Sequence, residues 1–204
     1  MQMSDKENHN KNGKTQRRPA EETLRFEAGI REITDKLYAE HTSDIDTEVY
    51  VYTSLGEYSM DRSRILVHTT VIEDDISPFR PESAEYAWYG AGVLDAESGG
   101  LVYLDGSLYY RGNTKLYRER HHGAVLDHSG NRLLAYGEYL TIRTIPSGVD
   151  SRADDVKNLG TGEFLYADFM DDDRYVLCTD RDNCVRVIDT VTGQEVPPGT
   201  PFVQ

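Results

Sequence analysis

Cysteine is scarce in this 204-residue chain, which carries only Cys178 and Cys184. Both lie in one candidate hairpin without the CxxC spacing of a zinc site. A disulfide across the turn Asp180–Asn183 is geometrically open. Two reduced, half-buried thiols are the expectation for a cytoplasmic chain. No apolar run approaches the ~18–20 residues of a membrane span, and no membrane partner is expected. The first 18 residues are polar throughout and lack the apolar core of a secretory signal, so a cytoplasmic location is expected. A phosphate-cradling loop is missing too. Gly90-Ala91-Gly92 lacks a third glycine at the right spacing and leads into a strand pattern. The Gly-x-Ser-x-Gly nucleophile motif is absent, and Ser98-Gly99-Gly100 reads as a turn. No cofactor is expected.

What remains is an ordinary soluble composition, 38% apolar and 28% charged. A chain of this size buries roughly 70% of its unfolded surface, so its core needs neither disulfide nor metal. The net charge is −14, and it is unevenly spread. Lys6, Lys11, Lys14, Arg17 and Arg18 stand against Asp5 and Glu7, which gives residues 1–19 a net +3 and leaves −17 on residues 20–204. Such a body repels a phosphate backbone, so the folded part is not expected to bind nucleic acid. Residues 1–18 have almost nothing to bury and are expected to be a disordered basic tail.

From Pro19 the pattern changes. Pro19 suits a first helical position, and Glu21 and Glu22 place negative charge at the positive helix end. Phe26, Ile30, Ile33 and Leu37 then form one apolar stripe, which predicts an amphipathic helix over 19–42 packed on the rest of the chain. After Asp46 the period drops to two. Val49, Val51 and Thr53 alternate with Tyr50, Tyr52 and Ser54, a strand signal. Leu55-Gly56-Glu57 is expected to turn the chain, Ile65–Ile72 to form the next strand, and Glu73–Glu85 a loop.

The later chain repeats itself. A shift of 32 residues places Val93-Leu94-Asp95 on Val125-Leu126-Asp127, Leu101 and Val102 on Leu133 and Leu134, Leu108 on Leu140, and Arg111 on Arg143. A further 44 residues on, Phe169-Met170-Asp171 takes the position of Val125-Leu126-Asp127. Recurring short β-units mark stacked sheets. The last unit runs from the acidic turn Asp171-Asp172-Asp173 through the strand Tyr175–Cys178 and the turn Asp180-Arg181-Asp182-Asn183. It continues through Val185-Arg186-Val187-Ile188 and closes on Asp189 and Thr192-Gly193. Over Phe169–Val196 it resembles one blade of a WD-repeat β-propeller, with Ile188 where that family usually has Trp. A second resemblance is to MORN repeats, through Tyr110-Arg111-Gly112, His122-Gly123 and Tyr136-Gly137-Glu138. Both imply a β-meander. The expected fold is therefore mainly β, a repeated antiparallel meander of propeller-like form over 47–204, with one N-terminal amphipathic helix.

Three constellations could carry function. His121, His122, Asp127 and His128 form the densest histidine group. Neighbouring strand residues point to opposite faces, so His121 and His122 do not easily share one ion, and Asp127 fits a turn that caps backbone amides. Asp171, Asp172 and Asp173 offer oxygen ligands but not the spacing of a calcium loop. His122, Asp127, His128, Asp171 and Asp173 are thus the candidate metal ligands, with a structural turn as the plainer reading of each. The third group is aromatic: Tyr86, Trp88, Tyr89, Tyr109 and Tyr110, among 14 tyrosines. Such side chains suit half-buried strands and protein contacts alike. The expected function is an acidic, non-enzymatic binding or scaffold protein acting through protein–protein contacts, an inhibitor or immunity-type role being one form of it. Its partner would carry a basic patch, and self-association is an open alternative. A small metal-dependent hydrolase using the His121–His128 or Asp171–Asp173 cluster is the rival.

Overall fold

The computed structural model describes residues 20–42, 47–75, 85–105, 112–113, 123–145, 156–170 and 173–197. The basic tail 1–18, Tyr109, Tyr110, His121, His122, Asp171 and Asp172 lie outside the described residues, as does the side chain of Tyr86. One helix, α1 (Ala20–His41), precedes an otherwise β chain. Its stripe works as the spacing predicts. Phe26, Ile33 and Leu37 are fully buried, and Ile30 packs beside them. The helix ends where Thr42 turns back, its backbone amide and hydroxyl both donating to the Tyr38 carbonyl at 3.0 and 2.7 Å.

Three antiparallel sheets follow in chain order, and none closes on itself. Sheet A holds β1 (Thr47–Tyr58), β2 (Arg64–Asp75), β3 (Glu85–Asp95) and β4 (Leu101–Asp105), with the short β5 (Gly112–Asn113) also paired to β3. Sheet B is β6 (Gly123–Leu126), β7 (Arg132–Tyr136), β8 (Tyr139–Thr144) and β9 (Val156–Thr161). Sheet C is β10 (Phe164–Phe169), β11 (Tyr175–Asp180) and β12 (Val185–Asp189). Within each sheet, apart from β5, the strands pair in sequence order, so the described strands form a repeated meander.

The layers stack in the order α1, A, B, C. Phe26, Ile33 and Leu37 meet Ile65, Val67, Val71, Leu94 and Leu101 on one face of sheet A. The opposite face, through Leu66, Ala91, Val93 and Tyr103, packs on Ala124, Leu133 and Ile145 of the sheet B region. Sheet B then turns Leu134, Leu140, Ile142 and Leu159 toward Phe164, Ala167, Val176, Cys178 and Ile188 of sheet C. Leu133 and Leu134 are both fully buried because consecutive strand residues point to opposite faces, and sheet B is covered on both. Close approach of α1 depends on Gly29, where a Cβ would collide with the Gly99 carbonyl of the β3–β4 turn. Truncating Phe26 to Ala removes a side chain of a class worth about 3–5 kcal/mol when fully buried.

Three local expectations change. The loop expected over Glu73–Glu85 is shorter, because β2 continues to Asp75 and β3 begins at Glu85. Leu55-Gly56-Glu57 does not turn the chain; β1 runs through it, and a slip in the β1–β2 register between Leu55 and Tyr58 takes up the irregularity. The turn comes later, at Ser59–Ser63. The repeat also aligns differently at Phe169. The Asp127 amide donates to the Arg132 carbonyl, and its counterpart is the Met170 amide, which donates to the Tyr175 carbonyl. Met170, not Asp171, therefore stands at the Asp127 position.

The two cysteines do not face each other. Cys178 pairs in register with Arg186 and is fully buried, Cys184 is exposed, and both are free thiols. Burial pushes the Cys178 thiol up to about 11. Among the described residues no helix is long and apolar enough to cross a membrane.

Candidate functional site

Hairpin turns build the site. Those starting at Ser59, Asp95, Asp127, Met170, Asp180 and Asp189 share one scheme, in which the first residue's amide and carbonyl both bond within the turn. Each needs one residue with positive φ: Arg62, Gly99, Gly130, Asp173, Asn183 or Gly193. Four begin with aspartate, and in each the two carboxylate oxygens divide the work. Oδ1 accepts amides inside the turn, as from Asn131 and Arg132 to Asp127 at 2.8 and 3.1 Å. Oδ2 accepts from an arginine: Arg64 for Asp95, Arg132 for Asp127, Arg186 for Asp180 and Arg174 for Asp189. The carboxyls of Asp95, Asp180 and Asp189 lie below their ordinary range, first because of the turn amides they accept and then because of these arginines.

Five of these turns join across the three sheets into one rim. Ala96 donates its amide to the Ser63 carbonyl at 3.0 Å, Asp61 to His128 at 3.1 Å, and Thr190 to Arg174 at 2.7 Å. The His128 amide bridges sheets B and C by donating to both Asp173 oxygens, at 3.1 and 2.9 Å. Arg132 reaches the Asp173 carbonyl at 2.9 Å.

Beside this rim an open cleft of about 890 Å³ lies between the three sheets. Glu57, Tyr58 and Met60 line it from the end of β1 and its turn, and Leu66 and His68 from β2. Strand β6 contributes Gly123–Leu126, β7 Tyr136, and β10 Tyr166, Asp168 and Phe169. The first strand of every sheet thus borders the cleft. Tyr136 can lie against β6 only because residue 123 is glycine, since a Cβ there would collide with the tyrosine hydroxyl. Its ring stands 6.3 Å from that of Tyr166 at 54°. The Tyr166 hydroxyl donates to Asp168 Oδ2 at 3.0 Å. Both phenols titrate above their ordinary value, through burial first and then the negative charge of Asp168, to which Glu57 adds at Tyr166. His68 is accessible from the cleft but closely surrounded, and burial pulls its pKa down while Glu57 opposes. No lysine or arginine lines the cleft among the described residues.

The sequence candidates fall in three places. Trp88 packs under α1, its ring edge-on to His41 at 5.3 Å. Tyr89, the next residue, is half-buried on the opposite face of β3. Asp127, His128 and Asp173 do come together, from two sheets, at the rim end of the cleft. The two carboxylates already serve the fold. Asp127 is 3% exposed and bonded to Arg132, and Asp173 takes the His128 amide. Burial raises the Asp173 carboxyl, with Asp127 adding to it and the His128 amide and Arg132 opposing. Among the described residues no three His, Cys, Asp or Glu side chains form a group suited to a metal ion.

Glu57, His68, Tyr136, Tyr166 and Asp168 are the group that the sequence alone does not single out. One signal was available: Tyr166 and Asp168 are two apart on a strand and so share a face. The convergence of β1, β2, β7 and β10 leaves no trace in sequence spacing. No family model matches the chain, and no curated protein matches its sequence.

Proposed function

We propose that this protein is a non-enzymatic binding module whose sheets stand side by side like propeller blades, and that the cleft between them docks a basic segment of a protein partner. The observation that carries this reading is the character of the cleft: tyrosines, methionines and carboxylates, with no lysine or arginine among the described residues of the lining. Aromatic and methionine side chains suit contact surfaces that must adapt to a partner. Uncompensated carboxylates speed the encounter with a basic patch and set its orientation.

A short arginine- and lysine-containing peptide of net charge about +4 tests it, titrated into the full chain by calorimetry at low and at physiological salt. Saturable binding that weakens with salt is expected. Replacing Glu57→Gln and Asp168→Asn together should cost about tenfold in affinity, roughly one hydrogen bond to a charged group. The control is Glu27→Gln with Glu40→Gln, two exposed acids on α1, which removes the same charge and should change little. Equal losses in both variants, or no binding, would overturn the reading.

A further inference from the structure

Resting on that reading, we infer that Tyr136, Tyr166, Asp168 and Glu57 form a subsite for one arginine guanidinium of the partner. The molecule supplies its own pattern for such a site. At the rim, Arg132 lies over the Phe169 ring, 5.3 Å from its centroid, while bonding Asp127. Arg174 lies over the Tyr175 ring at 5.7 Å while bonding Asp189. In both cases a flat cation sits between a ring and a carboxylate, and both parts belong to this chain.

The cleft repeats the aromatic and acidic halves of that arrangement. Tyr136 and Tyr166 offer two ring faces, and neither ring is loose: Tyr136 is half-buried against Gly123, and Tyr166 is tied to Asp168. Among the described residues, Asp168 has only the Tyr166 hydroxyl as a donor, and Glu57 has neither a donor nor an ion pair. The His68 imidazole on the same wall does not compete near neutral pH, because its charged form is disfavoured there.

Guanidinium answers these features better than ammonium. Its plane stacks on a ring while its edge still carries donors for a carboxylate. A lysine ammonium is a compact, strongly hydrated charge that gives up more water to enter. A quaternary ammonium reaches the rings but donates no hydrogen bond to Asp168 or Glu57.

The test uses small probes on the full chain, followed by NMR of the tyrosine rings. Nα-acetyl-arginine methylamide, its lysine analogue and tetramethylammonium are titrated separately. The expected result is saturable shifts at Tyr136 and Tyr166 with arginine binding tightest. Asp168→Asn should weaken the arginine probe about tenfold, the worth of a charge-assisted hydrogen bond, and Asp168→Glu should restore part of it. Tyr166→Phe keeps the ring and drops the hydroxyl, so it should retain most of the binding if the Asp168→Asn protein fails to fold. Tyr166→Ala, which removes that ring, should weaken the arginine probe whether or not the Asp168→Asn protein folds. Equal affinity for all three probes, no loss in either Asp168→Asn or Tyr166→Ala, or shifts confined to the rim would overturn the subsite. If the basic peptide binds in the cleft while the arginine probe does not, the subsite falls and the docking reading stands. If neither binds, both fall.

Discussion

The rim and the cleft are built from the same residue types and use them in opposite ways. At the rim, Asp95, Asp127 and Asp189 each hold turn amides with one oxygen and an arginine with the other, and Asp180 does the same at the far end of sheet C. In the neighbouring cleft, Glu57 and Asp168 stand beside tyrosines, with no lysine or arginine lining it among the described residues. The excess negative charge of the chain is therefore not an indifferent coating. Where a carboxylate has its arginine, it serves the fold. Where it has none among the described residues and lines a cleft, the proposed docking would give it a partner outside the chain.

The rim half of this contrast breaks most visibly at Asp127, which is buried and serves two amides and one guanidinium. Asp127→Ala strands all of them, and the expected loss is about 3 kcal/mol, in the range for orphaned buried donors and a broken buried pair. For a chain of this size that lowers Tm by roughly 6–12 °C. Urea and thermal unfolding check it. A loss below about 1 kcal/mol would mean that the turn is held by backbone geometry alone.

Acid separates the regions by pH window. The folded pKa of His68 lies below its ordinary 6.5 because of burial. The unfolded chain therefore takes up that proton first, and stability present above about 6.5 is lost as pH falls toward the folded pKa. The rim responds later. Asp95 is held below its ordinary 3.8 by the Ser98 amide, with the Ser98 hydroxyl and Arg64 assisting. Its contribution is complete above that value and disappears as pH falls through the folded pKa. Urea midpoints from pH 8 to 3 should decline in two stages, and His68→Gln should remove part of the first stage alone. Loss of the second stage in that variant would show that the two regions titrate as one unit.

The sequence made the helix, the strands and the meander legible because each rests on local periodicity. The stripe Phe26, Ile30, Ile33, Leu37 needed only a 3.6-residue repeat, and the repeat around Asp95 and Asp127 needed only a constant turn. Asp127 as a turn cap was legible for the same reason. Gly56 was misread because glycine marks a register slip as readily as a turn. The one-residue offset at Met170 was hidden because the positive-φ position is filled by Asp173 instead of glycine. Beyond the shared face of Tyr166 and Asp168, the cleft could not be read. Glu57, His68, Tyr136 and Asp168 meet through sheet stacking, which is a property of three layers and not of any window of sequence. Trp88, for which the sequence left a half-buried strand position and a protein contact both open, is partly buried against the core beneath α1.

The smallest expected effect sharpens the comparison furthest. If Glu57 and Asp168 contribute nothing to the fold, Glu57→Gln with Asp168→Asn should move stability by no more than about 0.5 kcal/mol, the ordinary range for surface changes. The direction should even be favourable, because two like charges near one cleft repel each other and the amides that replace them do not. Asp168→Asn keeps an acceptor for the Tyr166 hydroxyl, so the tyrosine has no reason to move. A protein that gains stability while losing affinity for basic ligands carries those carboxylates at a cost to its own fold. Unfolding curves at neutral pH decide the matter. A loss comparable to that of Asp127→Ala would return the cleft acids to the same structural class as the rim.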